Sequence, residues 1–157
     1  MSPFQRTAIL FFATGAGAGY FPWLPGTAGT LLAIPLSLAL NRMATTSLAL
    51  SLLTLTAFIA TATWFCKKGE EILLEKDSPR IVIDEIAGFL LADFLSPAEL
   101  KPMTAAFILF RFFDIIKPFP ARRAEQIQGG LGVILDDLVA GLYTFLTLRL
   151  LSHWSFL

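Results

Sequence analysis

Five carboxylates interrupt an otherwise apolar chain: the pair Asp84-Glu85, the single Asp114, and the pair Asp136-Asp137. A carboxylate in or near lipid is costly unless it is paired or holds a cation, so each cluster needs a reason. Asp114 stands three positions from Arg111 and three from Lys117. On a helix, side chains three apart share a face, with Cβ atoms about 5–6 Å apart. One helix end therefore offers two cations for a phosphate and one carboxylate for a metal. Carboxylate oxygens suit Mg2+, which commonly binds through one or two carboxylates, waters and a substrate phosphate. Gly26, Thr27 and Thr30 add hydroxyls and a backbone free to approach an anion closely.

The elements that must position these groups are apolar. The 157-residue chain is the size of a single domain over residues 1–157. It is 55% hydrophobic and only 15% charged, against about 25% charged in a soluble domain, which points to lipid. A net charge of zero supplies no basic field for nucleic acid. The single cysteine, Cys66, excludes an internal disulfide and a multi-cysteine metal site.

No charged residue lies between Arg6 and Arg42, or between Arg42 and Lys67. Met43 to Cys66 is long enough to span a bilayer, which takes about 20 residues. Further helices are expected over about Phe4–Ala16, Thr27–Leu40, Arg80–Leu95, Pro102–Lys117 and Leu135–Leu151. The segment from Gly19 to Gly29, with Pro22 and Pro25, reads as a loop between two of them. Lys67 to Arg80 is expected to be solvated. Pro79 is expected at a first helical position, with Asp77 or Ser78 as the cap. Asp93 and Glu99 read as solvated charges near a loop.

The pattern suits an all-α, compact multi-helix membrane bundle, since it lacks the alternating strands of a barrel. If the segments alternate direction, the Pro25-Gly26-Thr27 loop, Asp77–Glu85, Arg111–Lys117 and Asp136-Asp137 gather at one membrane face.

At these residues the sequence resembles the bacterial phosphatidylglycerophosphatase A family, from about Ala13 to Gly141. Four blocks carry the resemblance. The first runs from Gly15 through Gly17, Gly19, Pro22, Pro25, Gly26, Thr27 and Gly29 to Thr30. The second is Ile81-Val82-Ile83-Asp84-Glu85 with Gly88. The third is Phe110-Arg111, Asp114, Lys117-Pro118 and Pro120. The fourth is Gly129-Gly130, Gly132, Asp136-Asp137 and Ala140-Gly141. Thr30 stands where a serine is common, Ala121 where a larger apolar residue is usual, and Asp77-Ser78-Pro79-Arg80 lacks the histidine of some relatives. The resemblance implies Mg2+-dependent hydrolysis of the phospholipid phosphatidylglycerophosphate, at the cytoplasmic face of the bacterial inner membrane.

Within phosphatase chemistry, absences narrow the route. A cysteine phosphatase needs an arginine six positions after its cysteine, and that position is Ile72. No Asp-x-Asp triplet occurs, and His153 is the only histidine. Metal-assisted hydrolysis remains, with Asp84, Glu85, Asp136, Asp137 and Asp114 as ligands. Arg111 and Lys117 then serve as phosphate binders, one a planar fork and the other a point charge. An aspartyl-phosphate route through Asp84 or Asp136 is the lesser alternative.

Plainer readings compete. Asp136-Asp137 also reads as an N-cap and first-turn anion pair, a cap role suiting one of the two but not both. Arg111–Asp114–Lys117 also reads as a surface ladder, against which its apolar context and proline stop favour function. Rival functions are a small cation transporter or channel subunit, a noncatalytic assembly subunit, and a phosphatase for another phosphomonoester lipid.

Overall fold

The computed structural model describes residues 1–124 and 129–153. Every regular element among them is helical: α1 Pro3–Ala13, α2 Pro25–Thr46, α3 Leu48–Leu73, α4 Ile83–Ala92, α5 Leu100–Ile116, α6 Ala121–Ala124 and α7 Gly130–His153.

Local chemistry sets most of the boundaries. Ser2 and Gln5 form a reciprocal capping box at the start of α1. Pro25 opens α2, where its missing N–H costs nothing. The expected span from Met43 to Cys66 is displaced. Ser47 breaks the chain and caps α3 by accepting from the Leu50 N–H at 3.3 Å. The helix then continues to Leu73, and within this extension Lys68 and Glu71 pair one turn apart at 2.5 Å.

Two further starts differ from expectation. The helix expected from Pro79 begins at Ile83. Ser78 donates to Glu75 at 2.6 Å instead of capping a helix, and the Val82 N–H is held by the Ala13 carbonyl at 3.0 Å. The helix expected from Leu135 begins at Gly130. Asp136 and Asp137 consequently lie in its second turn, which removes the reading of either as an N-cap.

α4 is the hub. Eight of its ten residues are buried, and it packs on α2, α3, α5 and α7. Helices surrounded by lipid gain little from apolar burial and associate through close contact of small residues. Here a Cβ on Gly141 would overlap the Gly88 carbonyl oxygen, and one on Gly88 would stand 2.7 Å from the Asp137 carbonyl oxygen. Beside this crossing, Phe89 and Phe110 meet edge to face with ring centres 5.9 Å apart.

α3 and α7 are long and apolar enough to cross a membrane. Leu52, Leu53 and Trp64 of α3, and Leu142, Leu146 and Leu150 of α7, are exposed on the outside of the bundle. α1 and α4, at 11 and 10 residues, are only about 15 Å long and cannot cross by themselves.

α4 also ends inside the protein, and this corrects the expectation for Asp93, which is fully buried. Ser37 donates to Asp93 Oδ2 at 2.5 Å, and Asn41 donates to the Asp93 carbonyl oxygen at 2.9 Å. Asn41 Oδ1 accepts from the Leu95 N–H at 2.8 Å, and Arg149 donates to the Phe94 carbonyl oxygen at 2.8 Å. These bonds supply partners that a helix end lacks within itself. Glu99 is exposed, as expected.

Candidate functional site

The polar residues expected at one face meet at the other end of α4. Leu24, the residue before α2, makes no side-chain cap bond, so the first turn carries a partial positive charge. This turn packs directly on two charged side chains. A Cβ on Gly26 would overlap Glu85 Oε1, and would stand 2.9 Å and 3.1 Å from Arg111 Nη1 and Nη2. Glycine therefore lets the start of α2, the first turn of α4 and the last turns of α5 share one point.

Arg111 Nη1 lies 2.7 Å from Asp114 Oδ2, an ion pair by distance whose N–H is not aimed along a hydrogen bond. The expected three-member ladder stops there, because α5 ends at Ile116 and Lys117 turns into left-handed backbone at φ 49°. That turn sends its ammonium across to α7, where Nζ donates to Asp136 Oδ2 at 2.6 Å. Asp137 is buried beside it, with its backbone on Gly88. Asp84 is buried at the base of α4, and its Oδ1 accepts from the Glu85 N–H at 3.1 Å.

Thr27 is half-buried in the first turn of α2. Thr30 lies one turn deeper, with no exposure, and donates its hydroxyl to the Gly26 carbonyl oxygen at 2.8 Å. Its observed role is to brace the turn that carries Gly26.

Burial disfavours the charged form of both α4 carboxylates. Burial pushes the Glu85 carboxyl up to about 7, against the opposing effects of its bond with Asp84 and of Arg111. Asp84 is raised well above the usual carboxylate range, first by burial and then by the Glu85 charge. Glu85 Oε2, Asp136 Oδ1 and Asp137 Oδ1 are buried without a hydrogen-bond partner. Such orphaned oxygens are expensive unless something positive meets them.

Among the described residues, no three acidic, histidine or cysteine side chains form a ready-made metal cage. The donors still fit Mg2+, a hard ion that completes its shell with water and substrate phosphate. Asp84, Glu85, Asp136, Asp137 and Asp114 are the residues that would hold it. Two apolar grooves of about 550 and 570 Å³ lie elsewhere, one between α1 and α3 and the other beside Asn41 and Arg42.

Two features escaped the sequence reading. Gly88 and Gly141 sit within recognisable motif blocks, yet only the fold shows that they set the α4–α7 spacing under Asp84 and Asp137. The Asp93–Asn41 pairing joins residues 52 positions apart and has no local signature.

An all-helical bundle with cations and carboxylates gathered at one end is the frame into which the comparisons fit. The family model described as phosphatidylglycerophosphatase A matches residues 11–152. A Bacteroides thetaiotaomicron protein, provisionally named phosphatidylinositol-3-phosphatase, is 36% identical over 92% of this chain and 93% of its own. The phosphatidylglycerophosphatase A of Haemophilus influenzae is 30% identical over 98% of this chain and 96% of its own. The Escherichia coli K12 protein of the same name is 31% identical over 90% of this chain and 81% of its own. No solved structure matches. The chain belongs to the phosphatidylglycerophosphatase A family, a family of lipid phosphatases.

Proposed function

We propose that this chain hydrolyses the phosphate monoester of phosphatidylglycerophosphate to phosphatidylglycerol and inorganic phosphate, using Mg2+ at the cytoplasmic face of a bacterial inner membrane. The observation that carries the reading is the meeting of Gly26, Glu85 and Arg111, with Lys117 and Asp136 bonded alongside.

The reaction breaks the phosphorus–oxygen ester bond while water adds to phosphorus, and the departing lipid alkoxide takes up a proton. Arg111 would grip two phosphate oxygens with its planar fork, and Lys117 would release Asp136 in part to meet a third. The uncapped first turn of α2, including Thr27, presents N–H groups to the same anion. Mg2+ bound at the carboxylates would neutralise phosphate charge and make a water more acidic. Asp84, Glu85, Asp114, Asp136 and Asp137 would orient that water and accept its proton.

Position argues against a transport path. An ion path wants its carboxylates near the bilayer middle, whereas these cluster at helix ends. A second lipid is worth testing, because the Bacteroides thetaiotaomicron relative is named for a phosphoinositide. Purified protein should be given phosphatidylglycerophosphate, phosphatidylinositol 3-phosphate and phosphatidate in the same micelles, and phosphate release compared. Highest kcat/KM on phosphatidylglycerophosphate is the expected result. A clear preference for either other lipid would overturn the substrate assignment.

A further inference from the structure

We infer that the segment Tyr20–Leu24 is a rigid wedge that enters the head-group and upper acyl region of a phospholipid bilayer and seats lipid next to the polar site. The inference deepens the proposed function and rests on it for the identity of the lipid.

The segment stands out by exposure. Tyr20, Phe21, Trp23 and Leu24 are 56%, 55%, 85% and 58% exposed, so four large apolar side chains crowd one short stretch without cover. Scattered apolar residues on a surface are ordinary, but a contiguous patch marks an interaction. The chemistry favours lipid over water or protein. No charged residue occurs from Thr7 to Asn41, so insertion of the segment buries no charge. Tyrosine and tryptophan with an apolar body and a polar edge suit the head-group boundary. Leu31, Leu32 and Leu36 of α2 are likewise exposed farther along the helix that follows it.

Its base is fixed. The Ala16 N–H donates to the Phe11 carbonyl oxygen at 2.7 Å, and the Gly19 N–H to the Thr14 carbonyl oxygen at 2.9 Å. Gly19 lies so close to Arg80 that a Cβ would overlap the Arg80 carbonyl oxygen. A wedge held this way keeps its depth, and depth is what a phosphatase acting on head groups must control.

Its placement ties it to the site. Leu24 immediately precedes α2, and Gly26, two residues on, touches Glu85 and Arg111. Arg80, under the base, leads into the chain that carries Asp84 and Glu85. Lipid seated against Trp23 and Leu24 would thus have its head group within reach of the uncapped turn of α2.

The test uses full-length protein with Trp64→Phe and Trp154→Phe, so that Trp23 alone fluoresces, reconstituted in phosphatidylglycerol–phosphatidylethanolamine vesicles. The wedge predicts strong quenching by lipids brominated near the head-group end of the acyl chain, and weak quenching by aqueous iodide. Strong iodide quenching with no effect of brominated lipid overturns it. Protection from both quenchers also overturns it, and points instead to a second copy of the chain over Trp23. Because this readout needs no turnover, it separates failure of the wedge from failure of the phosphatase assignment. In mixed micelles of the hydrolysed lipid, Trp23→Ala should raise KM about tenfold while kcat stays within about twofold. A fall in kcat at constant KM contradicts a docking role.

Discussion

Gly26 and the Glu85 carboxylate are in such close contact that a methyl group on the glycine would overlap Glu85 Oε1. The same methyl would crowd both terminal nitrogens of Arg111. A glycine on α2 thus decides how a carboxylate on α4 and a guanidinium on α5 face each other.

Gly26→Ala should therefore fold and lose activity. Displacing the acidic and basic groups by about 1 Å is expected to cost about 100-fold in kcat/KM. Circular dichroism and thermal unfolding in detergent report the fold, and phosphate release reports the loss. Activity near that of the parent would show that the contact has no bearing on catalysis.

Lys117 is bonded to Asp136 at 2.6 Å across the gap between α5 and α7. Lys117→Ala leaves that carboxylate without its cation and the phosphate without a donor. A loss of about 100-fold in kcat is expected, the order found when one charge-stabilising donor is removed. Lys117→Arg should recover only part of it, because a fork does not replace a point charge at this geometry. Full recovery in Lys117→Arg would mean that charge alone matters there.

The α4–α7 crossing has no room for a side chain between Gly88 and Gly141. Gly141→Ala is expected to destabilise the protein by about 1–3 kcal/mol through overpacking. It should also lower activity, since the helices that separate carry Asp84 and Asp137. A variant that matches the parent in unfolding midpoint would indicate that the helices part at little cost.

At the far end of α4, Asn41 bonds both the Asp93 carbonyl oxygen and the Leu95 N–H. Asn41→Leu keeps the volume and removes both bonds. Each backbone group left unpaired should cost about 1–3 kcal/mol. Unfolding should occur at lower temperature while kcat of the remaining folded protein changes little. A selective loss of kcat with unchanged stability would place Asn41 in the reaction instead.

The gathering of the site was legible because the four motif segments each end or begin a helix, and antiparallel helices return their ends to the same side. Less of the detail could be read. Ser78-Pro79 looks like a helix start, but Ser78 to Ile81 closes only a single hydrogen-bonded turn, a distant bond ties Val82 to Ala13, and α4 begins at Ile83. The run Gly129-Gly130-Leu131-Gly132 looks like a break. Gly130 instead starts α7, where a Cβ would overlap the Thr63 carbonyl oxygen and meet the Lys67 nitrogen at 2.6 Å. Asp93 looks like a loop charge because Asn41 and Arg149, which secure that turn, lie 52 and 56 positions away in the chain. Close approach and long-range pairing decide these points, and neither leaves a periodic trace in the residues themselves.

The central claim is that the carboxylates and cations gathered around Gly26 form a Mg2+-dependent phosphate-monoester site. The most direct measurement is phosphate release from phosphatidylglycerophosphate by detergent-purified, folded protein, first with Mg2+ and then after EDTA with Mg2+ restored. The account predicts turnover with Mg2+, its loss with EDTA and its return on re-addition. Undiminished release in EDTA would contradict the metal assignment, and no release under any of these conditions would contradict the site itself.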